Sequence, residues 1–174
     1  RLGINLYGPS GTGKTMAAHA IASYLHRRIL IVNYADIESK FVGETPKNIR
    51  RAFEAAAETG SILFFDEADA ILSRRVTSMT SSTDVSVNQT RSVMLMLLND
   101  YQDFVIFATN FIENFDPAFM RRISTHIKFE LPDYDCRLKL WKKYIPAKMP
   151  HDIQVEKLAE KYAGITGSDI SNAV

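Results

Sequence analysis

Apolar residues along this chain fall into short, nearly unbroken runs separated by longer stretches in which they recur every three or four positions. Ile4 to Tyr7, Ile29 to Val32, Ser61 to Phe65 and Phe104 to Ala108 are runs of strand length, rich in β-branched and aromatic residues. Such runs mark strands buried in a parallel sheet. His126 to Leu131 alternates and predicts a fifth strand. Between the strands, Met16 to Arg28 predicts a helix, alanine-rich, with Ile21 and Leu25 at helical spacing. Thr45-Pro46 predicts an N-cap followed by proline at the first helical position, opening a helix to about Thr59. Ile49, Phe53, Ala56 and Ala57 form its inner face, and Gly60 ends it. The Ser/Thr-rich stretch from Thr77 to Ser86 predicts a loop, and a helix follows from about Val87 with Val93, Met94, Leu97 and Leu98 turned inward. Asp116-Pro117 opens a short helix carrying Arg121 and Arg122. Beyond Pro132, Tyr134 to Tyr144 and Val155 to Tyr162 predict helices, and a third begins at Ser168-Asp169.

Strands that alternate with helices imply right-handed crossovers and a parallel sheet covered on both faces. The expected architecture is therefore an α/β three-layer sandwich with a five-stranded parallel sheet over residues 1–132, followed by a partial small helical unit over 133–174. Ligands of such sheets bind at the carboxyl ends of the strands.

Composition narrows the classes. The chain has 174 residues, 46% hydrophobic and 24% charged, which suits one globular domain and the start of another. Its net charge of +1 provides no general attraction to nucleic acid or to an anionic membrane surface. Cys136 is the single cysteine, which excludes an intrachain disulfide and fits a reducing, cytoplasmic compartment. No apolar run approaches the roughly 20 residues of a membrane span. The chain opens within a few residues of a core strand and stops inside a helical pattern, so it reads as a piece of a longer protein.

The chemistry centres on Gly8-Pro9-Ser10-Gly11-Thr12-Gly13-Lys14-Thr15, a full G-x-x-x-x-G-K-[ST] loop. A strand precedes it and a helix follows, the order that a phosphate-binding loop requires. Glycines let successive N–H groups turn inward on an anion, and the helix adds the positive end of its dipole. Lys14 can reach the β- and γ-phosphates, and the Thr15 hydroxyl can ligate Mg²⁺. Asp66 follows four apolar residues, held at the top of a strand where it can bind Mg²⁺ opposite Thr15. Glu67, next in the chain, can polarise an attacking water. Asn110, at the end of the neighbouring strand, can hold that water or touch the γ-phosphate without adding negative charge. Asn33, at the end of the second strand, is a candidate polar partner for Glu67. Asp69 is read as a helix-start or loop residue.

These segments together resemble the AAA family of the AAA+ ATPases along nearly the whole chain. Residues 8–15 match its Walker A loop and Ile62 to Asp69 its Walker B strand. Phe107 to Asn110 match sensor 1, and Phe115 to Arg122 match the second region of homology. Gly167-Ser168-Asp169-Ile170 is similar to the family's motif at the start of a small-domain helix. The spelling of residues 66–75 and 116–123 is closer to a prokaryotic branch than to proteasomal or microtubule-severing members. The resemblance implies a P-loop NTPase fold, ATP and Mg²⁺ as cofactors, and a homo-oligomeric ring, usually of six subunits, with ATP between neighbours. It adds Met16, Gly167 and Ser168 to the nucleotide-binding set. Arg121 falls where the family places an arginine finger serving the next subunit. Where many members carry a second arginine this chain has Ser124, so either Arg122 substitutes or one finger suffices.

Lys40-Phe41-Val42-Gly43-Glu44 resembles the first pore loop, whose aromatic–aliphatic pair grips polypeptide, with Phe41 and Val42 as the gripping residues. The stretch 74–88 falls where a second pore loop would lie. The implied activity is ATP hydrolysis coupled to remodelling, unfolding or threading of protein substrates. A nucleic-acid motor would be expected to carry more basic residues in its pore loops than Lys40 alone. A scaffold that binds ATP with little turnover would be expected to lack Glu67 or Arg121. A GTPase is disfavoured because no Asn-Lys-x-Asp motif occurs.

Overall fold

A computed structural model describes residues 3–34, 44–73, 82–111, 115–148 and 152–174. Five strands form one sheet: β1 (Gly3–Tyr7), β2 (Ile29–Asn33), β3 (Ile62–Asp66), β4 (Val105–Thr109) and β5 (Thr125–Lys128). All pairings are parallel, in the order β2-β3-β4-β1-β5. The helices are α1 (Lys14–Tyr24), α2 (Glu44–Thr59), α3 (Asp69–Leu72), α4 (Ser82–Asp100), α5 (Pro117–Met120), α6 (Tyr134–Tyr144), α7 (Val155–Lys161) and α8 (Gly167–Ala173). Among the described residues no helix is long and apolar enough to cross a membrane.

Side chains alternate across the central strands, so each supplies both faces of the sheet. On one face Leu63, Phe65, Val105 and Phe107 pack against Ile49, Phe53 and Ala56 of α2 and Met94 of α4. Phe65 and Phe107 stack with centroids 5.4 Å apart. On the other face Ile62, Phe64, Ile106, Ala108 and Leu6 pack against Ala18 and Ala22 of α1. The two clusters make the expected three layers. A third cluster, Trp141, Ile145, Ala159 and Ile170, joins α6, α7 and α8.

Several boundaries and faces differ from expectation. The first helix ends at Tyr24, not Arg28, because His26 turns left-handed (φ 53°). The Arg27 N–H then returns to Ala22 O and the His26 N–H to Ser23 O, closing the helix end. Its buried apolar residues are Ala18 and Ala22, while Leu25 is 43% exposed. Alanine there lets the helix lie close against the sheet. The second helix starts at Glu44, one residue before the expected cap, and Ala57 faces out. The fourth begins at Ser82, so Ser82 to Ser86 are helical, not loop.

β2 is parallel but only partly buried, with Val32 in the core. It pairs only with β3 at the sheet edge, and Ile31 is 45% exposed. An apolar run cannot distinguish an edge strand from a central one. β5 forms the other edge and stops at Lys128, three residues short of expectation, although the Phe129 N–H still donates to Tyr7 O.

Below the sheet, Arg27 closes the β3–β4 side through a two-pronged pair with Asp103 (both 2.6 Å) and two bonds to Gly60 O. Arg27 holds the Asp103 carboxyl below its ordinary range, helped by the Phe104 N–H. A carboxyl lowered in the fold contributes stability fully above its unfolded value and loses it as pH falls through the folded value. Both side chains are partly exposed, so the contribution is at most about 1 kcal/mol. Asp103→Asn is expected to destabilise the fold by that amount near neutrality. In urea titrations across pH, the gap to the parent should close below about pH 4.

Candidate functional site

Parallel pairing brings the carboxyl ends of β1, β3 and β4 to one edge, and there a cleft of about 320 Å³ opens. Its walls combine the loop residues Ser10, Gly11, Gly13, Lys14 and Thr15 with Met16, Asp66, Glu67, Ala108, Asn110 and Ser168. Ten of these eleven are residues singled out from the sequence; Ala108 completes the wall from β4. Pro9 and Thr12 close the loop behind them, with the Thr12 hydroxyl donating to Pro9 O at 2.7 Å. Gly8 is buried against β5's continuation: a Cβ there would sit 2.0 Å from Phe129 O, so only glycine fits.

Lys14 opens α1 and is 8% exposed. Its Nζ donates to Gly8 O (2.6 Å), Pro9 O (2.9 Å) and Asn110 Oδ1 (3.3 Å). Burial pushes its pKa down, opposed by the carboxylates of Asp69 and Asp66. The ammonium is thus held by the loop's own carbonyls at the place where the loop curls.

At the end of β3, Asp66 works with both oxygens. Oδ2 accepts from the Thr15 hydroxyl at 2.9 Å and Oδ1 from the Glu67 N–H at 2.9 Å. Glu67 itself is exposed and left-handed (φ 51°), a conformation uncommon outside glycine, which turns the chain so that its side chain lines the cleft. Asn33 lies opposite Asp66 in the β2–β3 register, one position before Glu67.

The same turn crosses onto the neighbouring strand. The Ala68 N–H donates to Ala108 O at 2.9 Å. The Asp69 carboxylate accepts from the Asn110 N–H (2.9 and 3.1 Å) and the Phe111 N–H (3.2 Å). Asp69 does begin α3, in keeping with its reading as a helix-start or loop residue; its bonds to the β4 end are an addition, and nothing in the spelling around it says which amides it meets.

Helix α8 closes the cleft from the small helical cluster. The Ser168 N–H donates to Gly11 O at 3.1 Å, and Gly167 packs beside the same oxygen. Thr166 and Asp169 form a reciprocal cap on α8. That Thr-x-x-Asp spacing was a readable signal.

The donor set suits Mg²⁺-nucleotide. Thr15 and Asp66 offer a hydroxyl and a carboxylate already 2.9 Å apart, hard oxygen ligands for a cation that takes its remaining partners from phosphate and water. Among the described residues no group of three or more His, Cys, Asp and Glu converges on a metal position.

The two arginines lie elsewhere. Arg122 is tied down within its own chain, its Nε donating to Asn99 Oδ1 and its guanidinium to Ala118 O, both at 2.8 Å. Arg121 caps α5, is exposed, and makes no side-chain hydrogen bond or ion pair among the described residues. The Ser124 N–H, just beyond, donates to Gly3 O at the start of β1. Both arginines are therefore at the opposite edge of the sheet from the cleft. Lys40, Phe41 and Val42 lie outside the described residues, as do Arg74 and Arg75.

The parallel sheet and the loop between β1 and α1 give the P-loop NTPase fold. A model of the ATPase family associated with various cellular activities (AAA) matches residues 4–131, and the chain belongs to that family. It is 36% identical over 176 residues to a proteasome-activating nucleotidase of Methanopyrus kandleri, covering 97% of this chain and 40% of the relative. A Cell division cycle protein 48 homolog of Archaeoglobus fulgidus matches at 35% over 173 residues (97% of this chain, 24% of the relative). A 26S proteasome regulatory subunit 8 homolog of Schizosaccharomyces pombe matches at 36% over 179 residues (97% and 44%). The chain thus spans less than half the length of these relatives.

Between the loop and the small helical cluster, Gly11 is a contact that a single methyl would disturb. It is left-handed (φ 77°), and a Cβ would lie 2.7 Å from Thr166 Oγ1. Gly11→Ala is expected to weaken nucleotide binding by roughly tenfold, about 1.4 kcal/mol, within the range of strain at such positions. Adding Thr166→Gly, which removes the struck atom, should recover part of that loss in a calorimetric titration. Thr166→Gly alone should change little, because glycine is an acceptable N-cap.

Proposed function

We propose that this chain is the ATP-hydrolysing module of a ring, of six subunits, that remodels, unfolds or threads protein substrates. The observation that carries the reading is the separation between the cleft and Arg121. Lys14, Thr15, Asp66, Glu67 and Asn110 meet at the carboxyl edge of the sheet. The segment just after Arg121 meets Gly3 at the amino end of β1, about 13 Å of strand away at 3.3 Å per residue, and Arg121 itself is exposed. A guanidinium so placed cannot serve its own cleft and is suited to a neighbour's. Arg122, bonded to Asn99 and Ala118 O, is suited to holding α5 in place, not to reaching across.

Within the cleft, the loop amides and Lys14 bind and orient the phosphates, and Thr15 and Asp66 would hold Mg²⁺. The bound metal would supply charge neutralisation between the β- and γ-phosphates. Glu67 takes a proton from the attacking water, and Asn110 orients that water against the γ-phosphate. Gly167 and Ser168 bring the lid, residues 133–174, onto the loop of the larger unit, residues 1–132. Contact with polypeptide falls to Phe41 and Val42, supported by the family resemblance and by relatives named for the proteasome.

Mixed rings test the shared site. In the full-length protein Arg121→Ala and Lys14→Ala should each hydrolyse ATP at least a thousandfold more slowly than the parent, on the order of known arginine fingers. A random 1:1 mixture places an intact finger beside an intact loop at about a quarter of its interfaces, so activity should reappear in proportion. No recovery in rings verified as mixed would count against the shared site.

The threading step has its own test. Phe41→Ala should leave ATP turnover near the parental rate and abolish unfolding of a tagged substrate, with Phe41→Tyr retaining most of it. If Lys40→Ala instead loses DNA binding in a salt-dependent way and Phe41→Ala unfolds normally, the ring handles nucleic acid.

A further inference from the structure

The turn after β3 distributes three acidic residues over three tasks. Asp66 meets the Thr15 hydroxyl, and Glu67 faces the cleft. Asp69 turns away from both, across the top of the sheet, to take two successive amides of the β4 end. Two N–H groups on one carboxylate fix the backbone of Asn110 on both sides of its Cα, and with it the direction in which its side chain leaves. That side chain carries the Oδ1 that Lys14 Nζ reaches at 3.3 Å. The preceding bond from the Ala68 N–H to Ala108 O stitches the same turn to the same strand, so the unit moves as one.

We propose that Asp69 is a positioning residue for hydrolysis, holding Asn110 in line with Lys14 through its carboxylate bonds to the Asn110 and Phe111 amides. Asp69 is not among the residues that line the cleft, and in this role it acts through Asn110. Its charge contributes a second effect, since it is the foremost of the two carboxylates that offset the burial of the Lys14 ammonium. The inference rests on Asn110 being the residue that orients the attacking water.

The alternative is that the carboxylate only satisfies two strand-end amides, and the two roles separate in the readouts. In the full-length protein, Asp69→Ala is expected to lower kcat on the order of tenfold to a hundredfold, the scale of a misplaced contact, with KM for ATP held within about threefold. Asp69→Asn keeps an oxygen that can accept from both amides and should fall between parent and alanine. It also carries the test should Asp69→Ala fail to fold. In the nucleotide-free protein, hydrogen exchange at the Asn110 and Phe111 amides should quicken in Asp69→Ala while the thermal midpoint of the whole domain shifts little. Combined with Asn110→Ala, Asp69→Ala should add almost nothing further to the loss in kcat.

Losses that multiply in the double variant, or turnover that falls only with the folded fraction, would overturn the role. Parental kcat in Asp69→Ala beside an impaired Asn110→Ala defeats this inference alone. Parental kcat in Asn110→Ala defeats the assignment of Asn110 and the inference with it.

Discussion

Parallel strand pairing is the constraint on which the site depends. Because β1, β3 and β4 run in one direction, their carboxyl ends share an edge, and three residues more than forty positions apart in the chain become neighbours. Lys14 follows β1, Asp66 ends β3 and Asn110 follows β4. The apolar layers of Phe64, Phe65 and Phe107, all fully buried, back that edge on either face with close-packed side chains. Burial of the sheet and precision of the cleft are in this sense one property.

The cleft gathers opposite charges at close range. A lysine that is only 8% exposed would be costly without partners, and its ammonium finds two loop carbonyls, an amide oxygen and two nearby carboxylates. The acids are not a loose cluster. Each is committed to a different element, α1 through Thr15 or β4 through two amides, so the turn after β3 also acts as a clamp between strands. Helix α8 adds a third attachment through Ser168 and Gly11.

The opposite edge has a different character. α5 is secured at its beginning by the Asp116 cap and the buried pair of Asp116 with Arg91, and beyond its end by Arg122 on Asn99. Both anchors come from α4, which leaves Arg121 as the one arginine of the two directed outward. An exposed cation on a firmly held helix is better suited to a neighbouring subunit than a flexible one would be, because less side-chain and backbone freedom is lost on contact.

Much of this was legible in the residues alone. The phosphate loop, the Asp66-Glu67 pair and Asn110 each carry a local pattern of apolar run followed by polar end, and a parallel sheet converts that pattern into a common edge without further information. Strand and helix identity followed from periodicity for the same reason: periods of 2 and 3.6 are properties of a short stretch. The edge position of β2, the exposure of Ile31, the left-handed His26 that shortens α1 and the helical start at Ser82 depend on which neighbour lies alongside, and no local pattern encodes it. The same holds for Asp69, whose two amide partners are 41 and 42 residues away, and for the difference between Arg121 and Arg122, adjacent in sequence but set apart by Asn99 on another helix. Sequence determined the parts and the chemistry they can offer; the tertiary packing decided which partner each side chain meets, because hydrogen bonds and burial act over ångströms in space, not along the chain.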